Sequence, residues 1–448
     1  MREARQSAGP ATVSLQVVAL LWLAAFPVRL LFLINRGPQI FTAPVSHEVA
    51  RVGRSLAYQG EFRDPYKAGK TGPTAHTTPL YPLLLSGVFG VLGDESRAWI
   101  TIRVMNCAMA SGVCALTPVL GQVLGLPVRA AILVGAALAL HPISARDEVE
   151  GDFENVFGTL VFVLFLTRLA RLPALLRSGR SDWAVAAAGA GSGVVGLSYA
   201  ALFPAALYGA AILLRRAGAL VNWRHALMAG LGLAAALAPW AARNAMVLGS
   251  LVVLRSSLGL ELFVSNNDRA QPEMRQNTTS GWFRKLHPNE SPEEAELCRE
   301  LGEAEYMRAK FRQASDWIRG HPAEFARLTA QRAKAYWFPS VPGRGATARA
   351  WAVTLLGLAG IVLGWRRHWW VKHVAMMLLL VTAAYHFVQV TLRYRYPAEV
   401  LLLLAAGVLA ERALEWRRLQ RVGQTQESCG GTSAAASGHP AGGNSGAD

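Results

Sequence analysis

The sequence predicts an all-α, polytopic membrane protein with about ten transmembrane helices. Of its 448 residues, 52% are hydrophobic and only 17% are charged, and the mean hydropathy is +0.26. This balance is too apolar for a soluble protein of the same length. Many windows also contain about 20 mostly apolar residues in succession, the length that an α-helix needs to cross a bilayer.

Ten apolar segments are the predicted spans. The first is longer than the apolar part of a signal peptide and lacks a cleavage site of small residues, so we expect an uncleaved span. The segments centre on residues 13–35, 98–120, 126–142, 153–172, 183–198, 200–214, 225–247, 349–365, 371–390 and 396–412.

The stretch 78–93 is an eleventh apolar segment, but it is short and contains Pro79 and Pro82. Four loops are rich in Arg or Lys: 168–180, 215–225, 365–372 and 411–421. The positive-inside rule assigns such loops to the cytoplasm, and all four lie there with the amino terminus only if 78–93 does not cross. We therefore predict that this stretch lies on the membrane surface or re-enters it. The alternative is that the number of spans is miscounted at another weak pair of segments, 183–198 and 200–214.

This topology divides the chain into four parts. Residues 1–249 form a transmembrane core that includes a first large loop, 36–97, with helices beside the membrane. Residues 250–345 form a second large loop, expected to be a small helical domain, and 346–412 contain the last transmembrane helices. Residues 413–448, which end in a run of Gly, Ser and Ala, are expected to be a disordered tail. Both large loops then face the outside of the inner membrane, and both termini are cytoplasmic.

The charge pattern and the cysteines exclude some functions. The net charge is +16, but the arginines form short clusters between apolar segments, which indicates topology and not nucleic-acid binding. The four cysteines have no CxxC or metal-ligand spacing. We therefore expect no nucleic-acid partner and no metal cofactor.

A short amphipathic helix is predicted within residues 45–62. Ser46 is the expected N-cap and Gly60 the expected stop. Glu48 lies in the first turn, where the helix dipole favours its ionised form. It is a candidate to accept a proton from a hydroxyl or an amine at the membrane interface. The alternative is a surface carboxylate that only matches the dipole.

Polar residues near two other predicted membrane boundaries are further candidates. In the segment 67–82, His76 either lines a pocket or belongs to a turn. Asp152 and Glu154 lie at the edge of a span, where carboxylates are costly and are functional candidates by default. The alternative for these carboxylates is charge matching at a helix amino terminus.

Arginines are expected at the outer membrane boundary in two places. Arg243 and Arg255 follow the seventh span, and Arg393 and Arg395 follow the ninth. Positive charge on the outer side runs against the positive-inside rule, and it is suited to binding an anionic group such as phosphate. Arginines that merely reach to the interface are the alternative.

Several stretches, taken in order, resemble the lipid-carrier-dependent glycosyltransferases of the membrane GT-C class. This class includes the protein O-mannosyltransferases and the lipid A aminoarabinose transferases, and the chain resembles more closely the bacterial members with an RgtA/B/C/D-like domain. The resemblance covers most of residues 13–412. It rests on HEVARVGRSLAYQGEF (47–62), GPTAHTTPLYPLLLSGVFGVLG (72–93), PWAARNAMVLGSLVVLRSSLGLELFVSNN (239–267), GEAEY (302–306), HPAEF (321–325), YWF (336–338) and RYRYP (393–397).

The resemblance implies an activity and a set of site residues. Such enzymes transfer a sugar from a polyprenyl-phosphate to a lipid, glycan or protein acceptor. Many members carry a first-loop Asp that acts at the acceptor, and the matching stretch here is Ser46-His47-Glu48. Asp152 or Glu154 matches a second acidic position, and Asn266-Asn267 follows Ser265 where relatives have Gly-Asn-Asn. The candidate site residues are Glu48 as catalytic residue, and His47, His76, Asp152, Glu154, Arg243, Asn266, Asn267, Arg393 and Arg395 for binding.

The implied mechanism is a single displacement with inversion at the anomeric carbon. The lipid phosphate leaves, stabilised by Arg393, Arg395 and Arg243, and Glu48 removes the acceptor proton. A divalent metal assists some relatives, but no ligand spacing here indicates one. The alternatives are a transporter or flippase of a lipid-linked saccharide and a non-catalytic protein of envelope assembly. The nearly uncharged middles of the spans argue against a transport path.

Overall fold

The computed structural model describes residues 12–140, 145–172, 176, 181–216, 222–341 and 345–434. Within these ranges the chain forms α-helices, short 3₁₀ helices and isolated β-bridges, with no β-strand. The α-helices, numbered along the described ranges, are α1 Leu15–Ile34, α2 Glu48–Gln59, α3 Leu80–Leu92, α4 Ser96–Leu124, α5 Val128–Leu140, α6 Ala145–Glu150, α7 Asn155–Leu169, α8 Ser181–Ser198, α9 Phe203–Arg216, α10 Trp223–Leu248, α11 Leu258–Ser265, α12 Met274–Thr279, α13 Trp282–Leu286, α14 Pro292–Leu301, α15 Glu303–Gly320, α16 Pro322–Trp337, α17 Ala346–Gly364, α18 Trp369–Thr382 and α19 Tyr396–Ala434.

The helices agree with an all-α membrane protein. Among the described residues, α1, α4, α10 and α17 are long and apolar enough to cross a membrane, and α3, α5 and α7 are shorter apolar helices. The number of spans stays a prediction. Helix α3 has 13 residues, about 20 Å at 1.5 Å per residue, and packs on α2. Helix α5 is equally short, so length alone does not separate a crossing helix from a surface helix here.

The last helix extends into the predicted tail. Residues 413–448 were expected to be disordered, but α19 runs from Tyr396 to Ala434 without a break. The segment 413–421 is rich in Leu, Arg, Gln and Glu and contains no Gly or Pro, and these residues favour a helix. The Gly/Ser/Ala-rich stretch that suggested disorder begins at Gly423, so the helix extends into it. Residues 435–448 lie outside the described ranges.

Small residues allow the helices to approach closely. Helices α8 and α10 meet where a Cβ on Gly189 would overlap the carbonyl oxygen of Ala229, and one on Gly232 would overlap that of Ala186. Helices α17 and α19 meet in the same way at Gly360 and the carbonyl of Ala405. In a membrane, where lipid tails are as apolar as leucine, such close packing is a main source of helix association.

A buried ion pair joins α1 to its neighbours. Arg29 and Glu148 are each about 1% exposed, with Nη2 and Oε2 2.8 Å apart. The guanidinium also donates to the carbonyl oxygens of Ala25, Leu138 and Ala139. Because these bonds satisfy most of the guanidinium, the charge has a structural role.

The two large loops are joined by the buried carboxylate of Glu303, the first residue of α15. It accepts hydrogen bonds from the hydroxyl of Thr74, from the amide of Ala75 at 2.7 Å and from the hydroxyl of Ser256 at 2.7 Å. The second large loop contains α11 to α16. Glu303 therefore fixes these helices against the first large loop.

Gly232 provides a test of the packing between α8 and α10. We expect Gly232→Ala to lower the stability of the purified protein by about 1–3 kcal/mol, the usual cost of overpacking. Gly230→Ala, on the same helix, is the matched control because a Cβ there meets no atom within 4 Å. The unfolding midpoint in detergent measures both. Equal midpoints for the two variants would contradict the packing described here.

Candidate functional site

A cavity of about 730 Å³ lies where the two large loops meet the ends of α7 and α18. Its wall combines apolar and aromatic side chains with ionisable groups. The ionisable side chains of the wall, tyrosines apart, are His47, Glu48, His76, Glu154, Arg255, Glu261, His287, Glu290 and Arg393.

Glu48 lies on this wall as the first residue of α2. The helix buries Val49, Ala50 and Val52 against the protein and ends at Gly60, whose φ of 73° suits glycine. The expected N-cap Ser46 is off by one residue, since His47 occupies that position. Burial alone would raise the pKa of Glu48, but His287, His76 and His47 and a backbone hydrogen bond lower it to about 2. The carboxylate is thus ionised at neutral pH.

His47 joins the two acidic positions of the sequence prediction. Its Nδ1 is 3.9 Å from Oε2 of Glu48, and its Nε2 is 3.7 Å from Oδ2 of Asp152. The ring also packs on Phe153, with centroids 4.4 Å apart. Burial raises the pKa of Asp152 to about 6. The two carboxylates, which come from α2 and from the loop before α7, therefore share one imidazole.

Two arginines supply positive charge to the cavity. The guanidinium of Arg393 lies over the ring of Phe153, 3.5 Å from its centroid. Nη1 of Arg255 is 3.8 Å from Oε1 of Glu154, which is 8% exposed. Glu154 occupies the N-cap position of α7, makes no side-chain hydrogen bond to the helix and pairs loosely with this arginine. The cavity thus holds two guanidinium groups within one wall.

Two buried imidazoles complete the polar side of the cavity. Nδ1 of His76 is 3.0 Å from the hydroxyl of Tyr66, and the ring of His287 lies 6.4 Å from that of His76. Burial lowers the pKa of His76 to about 3 and lowers that of His287. Sequence reasoning predicted His76 but missed His287, because its neighbours in sequence belong to a soluble amphipathic region far from the first large loop.

Tyrosines from distant segments form another part of the wall. The hydroxyls of Tyr199 and Tyr385 are 2.6 Å apart, and the ring of Tyr385 stacks on that of Tyr394 with centroids 4.1 Å apart. Both hydroxyl-paired tyrosines line the cavity. No sequence signal distinguished them, since tyrosines near span ends are also typical of a membrane interface.

Arg395 is not part of the site. It is 1% exposed, and its Nε is 2.7 Å from Oε1 of the equally buried Glu399. Its other donors reach Thr354 and the carbonyl oxygens of Tyr336, Trp337 and Ala350. The two arginines of the RYRYP stretch thus point to different environments, and only Arg393 reaches the cavity.

Four other predicted site residues, Asp152, Arg243, Asn266 and Asn267, also do not line the cavity. Arg243 donates to the carbonyl oxygens of Thr74 and Phe62 and so holds the first large loop. Arg255, which the sequence placed at the same membrane boundary as Arg243, is the arginine that lines the cavity.

Asn266 and Asn267 hold the end of α11. Asn266 donates to the carbonyl oxygens of Leu262 and Phe387 and accepts from Arg332. Asn267 donates to α11 and accepts from the indole of Trp282. Their amides serve backbone and side-chain contacts because the chain leaves α11 at this point.

Comparison with known proteins finds likeness in structure alone. No family model and no curated protein sequence matches the chain. The structure is similar to the apo crystal structure of an oligosaccharyltransferase from Archaeoglobus fulgidus, with a TM-score of 0.56 and 14% identity over 91% of this chain and 52% of that chain. Its complex with Zn and sulfate gives a TM-score of 0.51 and 14% identity over 90% of this chain and 49% of that chain.

At this identity the likeness shows the fold. The shared fold agrees with the resemblance, while membership of the GT-C class and of its RgtA/B/C/D-like members stays a prediction. The chain spans about half the length of these oligosaccharyltransferase chains. In the part of the chain that the structure describes, no group of three or more His, Cys, Asp or Glu residues is arranged to hold a metal ion. We therefore derive no step through a metal.

The raised pKa of Asp152 predicts a pH-dependent stability. A carboxyl group whose pKa rises from 3.8 to about 6 on folding favours unfolding once pH exceeds 3.8, because the native state then binds more protons. We expect Asp152→Asn to raise the free energy of unfolding by up to about 3 kcal/mol at pH 7.5. The gain should shrink as pH falls from 6 to 4. A gain that is the same at both ends of this range would contradict the burial of an ionisable Asp152.

Proposed function

We propose that this protein is a membrane glycosyltransferase that moves a sugar from a polyprenyl-phosphate donor to a lipid, glycan or protein acceptor at the outer face of the membrane. One observation carries the proposal. Glu48, Arg255 and Arg393 come from three distant segments and line a single cavity beside the apolar helices. The fold shared with the oligosaccharyltransferase supports the same reading.

The two arginines are suited to the phosphate of the donor. Guanidinium groups bind phosphate oxygens through charge-assisted hydrogen bonds. Arg393 is held by its contact with Phe153, so its charge needs little reorganisation when a donor binds. Positive charge beside a departing phosphate stabilises the negative charge that develops on it in the transition state.

Glu48 is suited to the acceptor. Its carboxylate is ionised and 18% exposed, so it can accept a hydrogen bond from an acceptor hydroxyl or amine. In a single displacement the acceptor atom forms a bond to the anomeric carbon, while the bond from that carbon to the phosphate oxygen breaks. The acceptor proton passes to Glu48, and the electron pair of the broken bond leaves with the polyprenyl phosphate.

Asp152 and His47 support the proton transfer. A carboxylate with a pKa of about 2 is a weak base, and general-base catalysis is most effective near the working pH. Asp152 has a pKa of about 6, and His47 lies between it and Glu48, at distances of 3.7 and 3.9 Å that are longer than hydrogen bonds. We propose that this pair holds the proton after it leaves the acceptor, which resets Glu48 for the next turnover.

The carboxylate of Glu48 is the first target for mutation. We expect Glu48→Gln to lower transfer at least about 100-fold, because it removes the proton acceptor while preserving size. Purified protein in proteoliposomes would be given radiolabelled polyprenyl-phosphate sugars and a crude envelope fraction as acceptor. Transfer of label to the acceptor is the readout.

The control for this experiment is Glu61→Gln. Glu61 lies in the same loop, is 56% exposed and forms an ion pair with Arg63 at the surface, so its removal should leave transfer unchanged. Equal transfer by wild type and Glu48→Gln would remove Glu48 from the chemistry. Tight donor binding without any transfer would favour a transporter or an assembly protein.

Substitutions of Arg393 and Arg395 distinguish an effect on donor binding from an effect on stability. We expect Arg393→Gln to lower kcat/KM for the donor by roughly 10- to 100-fold, the loss of one charge-assisted hydrogen bond, with an unchanged unfolding midpoint. Arg395→Gln should instead lower stability by about 3–5 kcal/mol, because it leaves Glu399 buried without its partner. Donor kinetics and thermal unfolding measure the two effects. The opposite assignment of effects would contradict the site.

A further inference from the structure

Three uncharged side chains on the cavity wall have hydrogen-bonding groups that no described residue of the chain uses. These side chains are Thr77, Asn155 and His287. All are buried, with exposed fractions of 4%, 1% and 3% respectively. A buried polar group without a partner costs about 1–3 kcal/mol, so the hydroxyl of Thr77 and the amide of Asn155, which are buried without a partner among the described residues, call for an explanation.

Asn155 is the strongest of the three. It begins α7, and neither its amide oxygen nor its amide nitrogen bonds to any described residue. Its backbone carbonyl oxygen, in contrast, accepts from the hydroxyl of Thr159 at 2.6 Å. The side chain thus offers one donor group and one acceptor atom at the same point of the wall.

Thr77 differs from its neighbours in the same loop. The hydroxyl of Thr74 bonds to Glu303, and that of Thr78 donates to the carbonyl oxygen of Ser198 at 3.2 Å. Both therefore hold the loop in place. The hydroxyl of Thr77 has no such bond to the described residues, although it lines the cavity.

His287 presents an N–H donor, because its other ring nitrogen accepts a hydrogen bond from the backbone. The backbone N–H of Asn289 donates to Nδ1 of His287 at 3.0 Å, so Nδ1 carries a lone pair. Burial lowers the pKa of the imidazole and keeps the ring neutral, so the single ring proton lies on Nε2. Nε2 has no partner among the described residues.

We propose that Thr77, Asn155 and His287 form a subsite that binds the sugar ring of the lipid-linked donor and that selects an uncharged, hydroxyl-bearing sugar. The proposal rests on the proposed function and identifies its substrate class. A sugar hydroxyl both donates and accepts, as do the amide and the hydroxyl of this subsite. A carboxylate or an ammonium group on the ring would be matched best by a side chain of opposite charge, and none of these three side chains is charged.

The test measures binding, so it does not depend on turnover. Protein in nanodiscs is loaded with radiolabelled undecaprenyl phosphate, which is displaced by unlabelled undecaprenyl phosphate and by its arabinosyl, glucosyl, galactosyl, mannosyl and glucuronosyl derivatives. We expect at least one neutral sugar to bind threefold to tenfold more tightly than undecaprenyl phosphate itself, as one uncharged hydrogen bond or more would give. The glucuronosyl lipid should show no such gain.

Three variants test whether these side chains produce the gain. Thr77→Val, Asn155→Leu and His287→Phe should each weaken binding of the preferred glycosyl lipid by roughly threefold to tenfold and leave undecaprenyl phosphate unchanged. Met274→Leu, an apolar change on the same wall, is the control and should alter neither. The first two variants should keep the unfolding midpoint of wild type, because each removes a buried polar group without a protein partner.

Each other result overturns the subsite. If no lipid with a neutral sugar binds more tightly than undecaprenyl phosphate, or if each variant binds both lipids as tightly as wild type does, then water alone satisfies these groups. An equal loss for both lipids would indicate general damage to the cavity. Failure of undecaprenyl phosphate itself to bind would reject the proposed function, and the subsite with it.

Discussion

The buried carboxylate of Glu303 is the contact on which the candidate site depends. It binds two consecutive residues of the first large loop, Thr74 and Ala75, and also Ser256, which precedes α11. His76 and Thr77 follow directly along the first of these segments, and Arg255 directly precedes Ser256. A single side chain thus brings together three polar groups of the cavity wall. Because its oxygens accept hydrogen bonds from both segments, their relative positions are tightly constrained.

Buried charges in this protein have two different uses. Arg29 with Glu148 and Arg395 with Glu399 form close pairs whose remaining donors reach backbone carbonyl oxygens. Such pairs hold helices in register and leave little capacity for a ligand. The cavity differs, since Glu48 approaches His47 only at 3.9 Å and Arg255 approaches Glu154 only at 3.8 Å. Looser partners leave hydrogen-bonding capacity for a substrate.

The sequence predicts the all-α character, and the structure places the predicted Glu48 on the cavity wall, but the sequence does not tell which polar residue of a pair faces the cavity. Apolar runs and the stop at Gly60 depend on local composition, which is visible in the sequence. Arg393 and Arg395 are only two residues apart, and a short 3₁₀ helix, Leu392–Arg395, turns their side chains to different surroundings. For Arg243 and Arg255, and for His287, the decision depends on tertiary contacts made by distant segments. No local pattern encodes those contacts, so the prediction named Arg243, Asn266 and Asn267 where the cavity has Arg255, Tyr199 and His287.

The proposed function requires that the two arginines of the cavity bind the phosphate of a lipid-linked sugar while Glu48 faces the sugar and its acceptor. The most direct measurement is an electron cryomicroscopy structure of the protein in nanodiscs with a bound polyprenyl-phosphate sugar. The account predicts phosphate density beside the guanidinium groups of Arg255 and Arg393, with the sugar near Glu48 and Asn155. Density for the lipid phosphate at the opposite end of the helices, or beside Arg243, would contradict it.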